Sequence, residues 1–121
     1  MSRIEKINEL IKREISKMLL LGEIRDPRVK FVTIQSVDTS KDLQHARVRF
    51  TILSDDDKEI QSVSEGLNSS RGYVRKLIAE RIELRWIPEV QFIFDKGVSH
   101  LAKIDERLAE IKKLEQSQGE S

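Results

Sequence analysis

Apolar positions along this chain change their period several times, and each change marks an element. Ile4, Ile7, Ile11, Ile15 and Met18 recur every three or four residues, which predicts an amphipathic helix. It should run from Ser2 or Arg3 to Leu21. Ser2 is a capping residue with Glu5 three places on, and Gly22 is suited to end the helix. Within Arg25-Asp26-Pro27-Arg28, Pro27 enforces a stop, since it has no amide hydrogen and pushes Asp26 out of helical geometry. Residues 31–37 then read as a strand rich in β-branched side chains, and 38–42 as a turn built on Asx- and ST-type bonds. The second strand is the clearest. Ala46, Val48, Phe50 and Ile52 alternate with Arg47, Arg49 and Thr51, which predicts one buried face and one wet, basic face. A turn this short makes the two strands an antiparallel hairpin.

The helical period returns after Asp55-Asp56-Asp57, whose carboxylates favour the positive end of a helix. Ile60, Val63 and Leu67 carry it first; Tyr73, Val74, Leu77 and Ile78 carry it afterwards. Between them lie Ser69, Ser70 and Gly72, poor mid-helix residues, Gly costing about 1 kcal/mol relative to Ala. The pattern predicts two helices meeting at a kink near residues 70–72, the second reaching Ile82 or Leu84. An ordinary helix end followed by a fresh helix would read the same way. Arg85-Trp86-Ile87-Pro88 breaks this helix. Residues 89–95 form a third strand, with Val90, Phe92 and Phe94 on one face and Pro88 where a strand start tolerates it. Lys96-Gly97-Val98 reads as a turn. Ser99 then caps a last helix with apolar positions Leu101, Ile104, Leu108 and Ile111. The sum is an α+β sandwich in the order α-β-β-α-α-β, a three-stranded sheet with helices on one side and a C-terminal helix. One domain is expected over residues 1–114, with a polar, disordered tail at 115–121.

Composition narrows the function classes. With no cysteine, disulfides, thiol chemistry and thiolate metal sites are excluded, which fits a reducing compartment. No apolar run approaches the roughly 18 residues of a membrane span and no signal-peptide core opens the chain. A cytoplasmic protein without membrane partners is expected. Net charge is only +1, but residues 1–54 carry +4 and residues 55–70 carry −4, so a compact molecule could present a basic and an acidic side. Arg3, Lys6, Arg13 and Lys17 form a basic ridge on a flank of the first helix. A solvated charged face would look the same.

Catalytic chemistry finds little support. His45 and His100 stand on different elements and form no metal-spaced pair; the three aspartates at 55–57 lack the glycine and later acid of a calcium loop. No serine sits in a G-x-S-x-G elbow, and the glycines form no phosphate-binding loop. No catalytic residue, metal or cofactor is expected. A nucleic-acid-binding module fits better, with phosphates on Lys and Arg and bases stacked on Trp86 or Tyr73, although core packing or plain amphipathic burial is the plainer expectation for each.

Several stretches, in order and spacing, resemble bacterial ribosome-binding factor A from about Arg3 to the last helix. They are Asp26-Pro27-Arg28, Ser40-Lys41-Asp42-Leu43 with Ala46 and Val48, Gly72-Tyr73-Val74-Arg75, and Arg85 through Pro88-Glu89-Val90 to Phe92 and Asp95. The resemblance implies a type-II KH-like fold whose helix–kink–helix replaces the usual G-x-x-G loop. Family members carry Ala-x-Gly at the kink; here it is Ser70-Arg71-Gly72, a change that should preserve a bend requiring Gly72. The implied role is non-enzymatic: binding the free small (30S) ribosomal subunit and its 16S ribosomal RNA late in assembly, assisting 5′-end maturation and growth in the cold. Other assembly factors are possible partners, and a monomer is expected. Carried over by position, Ser70, Arg71, Gly72, Arg75 and Lys76 are the first candidates for RNA contact. Arg3, Lys6, Arg13, Lys17 and Arg28 follow, then Lys41 and Arg85, with Arg47 and Arg49 open between RNA contact and decoration of the sheet. The alternative is a KH-like module whose main partner is a protein such as an assembly GTPase, met by the acidic 55–65 segment or the final helix.

Overall fold

The computed structural model describes residues 2–95. Its elements are α1 (Arg3–Leu20), β1 (Val32–Thr39), β2 (His45–Ile52), α2 (Asp57–Ser69), α3 (Arg71–Arg81) and β3 (Glu89–Phe94). The expected α-β-β-α-α-β order is therefore present. The helix expected from Ser99, the turn at 96–98 and the tail at 115–121 lie outside the described residues.

Alternation along β2 makes it the central strand: it pairs antiparallel with β1 and parallel with β3. All three helices cover one face of this mixed sheet. Ile7, Ile11, Ile15 and Met18 of α1, Val63 and Leu67 of α2, and Val74, Leu77 and Ile78 of α3 bury there against Ile34, Val48, Phe50 and Phe92. Phe50 and Phe94, opposite each other in the β2–β3 register, meet edge to face at 5.8 Å.

Capping follows the sequence at two helix starts. Glu5 N donates to Ser2 Oγ at 3.1 Å, and Lys58 N donates to Asp56 Oδ1 at 3.0 Å. α1 closes in a Schellman arrangement, with Gly22 at φ +67°, its N–H on Leu19 O and Glu23 N–H on Met18 O.

Several expectations fail, each for a reason outside local pattern. Phe31 does not begin β1: it adopts φ +55° and is 86% exposed. β1 runs on to Thr39 because a bulge at Gln35 shifts the register, Ile34 facing Phe50 but Ser36 facing Arg49. That extra residue carries the buried phase from Ile34 to Val37 and Thr39, which simple alternation cannot do. The turn consequently falls at residues 40–44, with Leu43 at φ +61° and Gln44 N donating to Asp42 Oδ1. Thr51 is buried rather than wet, its register partner on β1 being Thr33. α3 stops at Arg81, because Ile82 turns to extended geometry and buries its side chain.

A further correction concerns glycine. A Cβ added at Gly72 would meet nothing within 4 Å and Gly72 has no positive φ, so the bend does not need it. Gly66 is the constrained one: its Cβ would stand 2.9 Å from Arg28 Cβ, 3.1 Å from Val29 Cγ2 and 3.2 Å from Asp26 Oδ1. The turn after α1 thus rests directly on the backbone of α2, and only Gly permits that approach. Gly66→Ala should lower stability by about 1–3 kcal/mol through overpacking. Gly72→Ala should raise it by up to about 1 kcal/mol through helix propensity. Urea unfolding of both variants checks the pair; a Gly66→Ala variant as stable as the parent would contradict this packing.

Candidate nucleic-acid interface

The junction between α2 and α3 is one residue long. Ser70 keeps near-helical angles (φ −92°, ψ −1°); its N–H reaches Gly66 O and Leu67 O, and its own carbonyl accepts from Val74 N. The chain bends without leaving helical space, which is the predicted kink. Ser70 Oγ turns back to donate to Gly66 O at 2.9 Å, so it does not cap α3. Half-buried Ser70 thus shapes the bend, while Arg71 and Gly72 open α3 at the surface with no side-chain cap over them. Arg71 and Arg75 are one turn apart on α3, as are Gly72 and Lys76, and all four are exposed.

Among these cations, commitments differ. Arg71 and Lys76 have no hydrogen-bond or ion-pair partner among the described residues. Arg75 donates from Nε (3.3 Å) and Nη2 (2.9 Å) to Ile87 O, which ties α3 to the loop before β3. Beside this tie a cleft of about 420 Å³ opens between α3, the β1–β2 turn and that loop; Asp42, Leu43, Arg75, Trp86 and Glu89 help to line it. Lys41 and Arg85, each one residue from a lining side chain, are exposed and without such partners among the described residues. The structure therefore gathers Arg71, Arg75, Lys76, Arg85 and Lys41 around α3 and its neighbouring loops.

The remaining candidates fall elsewhere. Arg3, Lys6, Arg13 and Lys17 are exposed along α1, as the ridge predicted, and Lys17 lines the same surface hollow as Glu23 and Arg81, at the far end of α3. Asn8 Oδ1 accepts from Thr39 N at 2.9 Å, which sets the start of this ridge beside the β1–β2 turn. Arg47 is exposed and Arg49 half-buried on β2, on the face without helices. Trp86 (64% exposed) and Tyr73 (47%) are both at the surface, so neither packs in the core, and Tyr73 keeps the half-burial of an amphipathic position.

Arg28 is spent inside the protein. Asp26 Oδ1 accepts from Arg28 N (2.9 Å) and Nε (3.0 Å), and Oδ2 from Nη2 (2.8 Å), while Val29 N closes the turn on Asp26 O. Arg28 also donates to Ser69 Oγ at 3.2 Å, beside the kink, and faces Glu65 at 3.8 Å. Charge-assisted bonds from the Arg28 side chain, then its amide, hold the Asp26 carboxyl down at about 2. Similarly, Arg81 forms a two-pronged pair with Glu23, lowering the Glu23 pKa and raising that of Arg81. Glu23 and Arg81 are fifty-eight residues apart, a pairing that leaves no trace in local sequence; Asp26 and Arg28 are neighbours in sequence, but only the folded turn shows that their side chains meet. Among the described residues no cluster of three or more acidic or histidine side chains could hold a metal, and no helix is long and apolar enough to cross a membrane.

Comparison with known proteins places this arrangement. The profile for ribosome-binding factor A matches residues 3–108. The chain belongs to the ribosome-binding factor A family. Ribosome-binding factor A of Halothermothrix orenii is 41% identical over 118 residues, covering 98% of this chain and 95% of that one. The solution structure of a Thermotoga maritima protein described as a putative ribosome-binding factor A is 37% identical with a TM-score of 0.61, over 74% of this chain and 88% of that one. A homology model of Thermus thermophilus ribosome-binding factor A, fitted into the cryo-EM map of a 30S complex, shares the fold at 20% identity and a TM-score of 0.58, over 72% of this chain and 89% of that one. The family's helix–kink–helix is thus the α2–Ser70–α3 segment, and the matching stretch Asp26-Pro27-Arg28 is the turn seated on α2.

Because the folded Asp26 pKa is depressed, its contribution is complete above the ordinary aspartate value near 4 and is lost as pH falls toward about 2. Thermal midpoints measured across that window should fall with acid, and Asp26→Asn should flatten part of the fall while lowering the midpoint at neutral pH. An unchanged acid slope in the variant would contradict the Asp26–Arg28 assignment.

Proposed function

We infer that this chain binds the free small ribosomal subunit by docking on folded 16S ribosomal RNA during late assembly. The observation that carries the RNA surface is the uncapped start of α3, where Arg71 and Lys76 are exposed and free of partners among the described residues, beside the bend. A helix start and unpaired cations both favour phosphate oxygens. Family membership supports the ribosomal partner, and the Thermus relative is described in a 30S complex. With no G-x-x-G loop, recognition runs through the shape and phosphates of a folded RNA rather than a single-strand clamp. Arg75, Lys41 and Arg85 extend the surface around α3, and Arg3, Lys6, Arg13 and Lys17 form a second contact line. Arg28 acts indirectly, by holding the turn under Gly66 and the end of α2.

In this reading the protein is a monomeric, cytoplasmic, non-enzymatic factor without a cofactor, and its binding unit spans residues 1–114. It assists 5′-end maturation of 16S ribosomal RNA by favouring one conformation of the immature subunit, which requires different affinities for the two conformations. The acidic start of α2, with Asp55, Asp56, Asp57 and Glu59 all exposed, is the face a protein partner such as an assembly GTPase would meet.

Arg71→Glu with Lys76→Glu should weaken co-sedimentation with small subunits at least tenfold and leave the circular dichroism spectrum intact. The slope of log affinity against log salt should shrink by roughly one for each phosphate no longer neutralised. Parental affinity in the double variant would overturn this surface; affinity insensitive to salt would favour the protein-partner reading.

A further inference from the structure

We propose that the cleft beside α3 receives one unpaired nucleobase, stacked on Trp86, with preference for a base that carries an exocyclic amino group. This deepens the RNA-docking reading and rests on it. The cleft is of small-molecule size, about 420 Å³. Trp86 offers a large aromatic face that the protein leaves 64% exposed, without burying it in the core. Ile87 O holds the Arg75 guanidinium through two hydrogen bonds, so a second planar group is oriented at the same cleft. Indole and guanidinium planes are the surfaces on which unpaired bases stack.

The charges separate base from backbone. Asp42 and Glu89 line the cleft together with Arg75 and His45; the Arg75 guanidinium is engaged by Ile87 O, and the two carboxylates disfavour a phosphate beside them. Asp42 Oδ1 accepts from Ser40 Oγ (2.6 Å) and Gln44 N (3.1 Å), and the carboxylate is exposed at the mouth of the cleft. These same bonds, the Ser40 hydroxyl first, lower the Asp42 pKa and keep it ionised, an acceptor only. Glu89 stands 3.9 Å from His45 Nδ1 and is largely exposed. A carboxylate that can only accept pairs with an amino group of adenine, cytosine or guanine; uracil has none. The flanking nucleotide backbone then meets Lys41 and Arg85, which adjoin the lining residues in sequence, and Arg71, one turn before Arg75.

Trp86 is the single tryptophan of the chain, so its emission reports on this cleft alone. The full chain would be titrated with short oligoadenylate, oligocytidylate and oligouridylate and with a duplex of equal length. Small-subunit sedimentation would be run in parallel for the parent, Trp86→Ala and Trp86→Phe. The expected result is saturable quenching by oligoadenylate and oligocytidylate, weaker quenching by oligouridylate and none by the duplex. Subunit affinity should drop roughly 5- to 100-fold in Trp86→Ala and recover in Trp86→Phe. Parental subunit affinity in Trp86→Ala would overturn the base site and leave subunit docking intact. Equal quenching by all three homopolymers would overturn the amino-group preference. Quenching by oligonucleotides without any subunit binding would uphold the base site and overturn the docking reading.

Discussion

Asn68 sits in the last turn of α2 with its amide against the outer edge of β3. Its Oδ1 accepts from Phe92 N at 3.1 Å, and its Nδ2 donates to Phe92 O at 3.2 Å and to Ser64 O at 3.0 Å. An edge strand leaves its outward N–H and C=O groups unpaired, and partial burial makes that costly. Asn68 supplies both partners from a side chain, as the backbone of a neighbouring strand would. The end of α2 is therefore fixed to the middle of β3. Arg28 on Ser69 and Ser70 Oγ on Gly66 O add constraints within the next two residues. The departure of α3, and hence the placement of Arg71, Arg75 and Lys76, follows from this anchoring rather than from any conformational freedom at Gly72.

Most of the architecture was legible because it depends on period. The α1 stripe, the alternation of β2 and the apolar spacing on either side of Ser70 each repeat often enough to specify an element and its buried face. The bulge at Gln35 was not legible, since nothing in a Thr-Ile-Gln-Ser-Val run says which residue the opposing strand will skip. Phe31 misled for a related reason. Its β propensity is real, but the turn packed on Gly66 delivers the chain into β1 through a positive φ, and that geometry leaves the ring outside. Both failures arise where one segment is shaped by another that is distant in sequence.

The surface divides in the same way. Basic residue types could be picked out by position, but not whether the charge was already engaged. Asp26 binds Arg28 and Glu23 binds Arg81, one pair two residues apart and the other fifty-eight. Both arginines act as structural ties, Arg28 under the kink and Arg81 between the end of α3 and the loop after α1. Arg75 is intermediate, since its guanidinium holds Ile87 O yet remains exposed. Around α3 the cations with no such duty among the described residues are Arg71 and Lys76, with Lys41 and Arg85 on adjoining loops, and the ridge of Arg3, Lys6 and Arg13 along α1 is likewise unpaired. Theirs are the charges that the fold itself does not require.

A net charge of +1 limits what long-range attraction can do. Exposed charges are screened over about 8–10 Å at physiological salt, so a distant polyanion experiences little net pull. On the proposed reading, affinity for RNA comes from contacts made at close range by a few unengaged cations, and these hold phosphates only at particular separations. A rigid helix start fixed by Asn68 and Ser70 presents them at such separations, and an RNA segment of different shape would meet fewer of them at once. Near-neutral overall charge with a fixed local cluster would then convert phosphate contacts, which carry no sequence information, into a test of RNA shape. On the proposed reading, discrimination between subunit conformations comes from that rigidity and not from the number of basic residues.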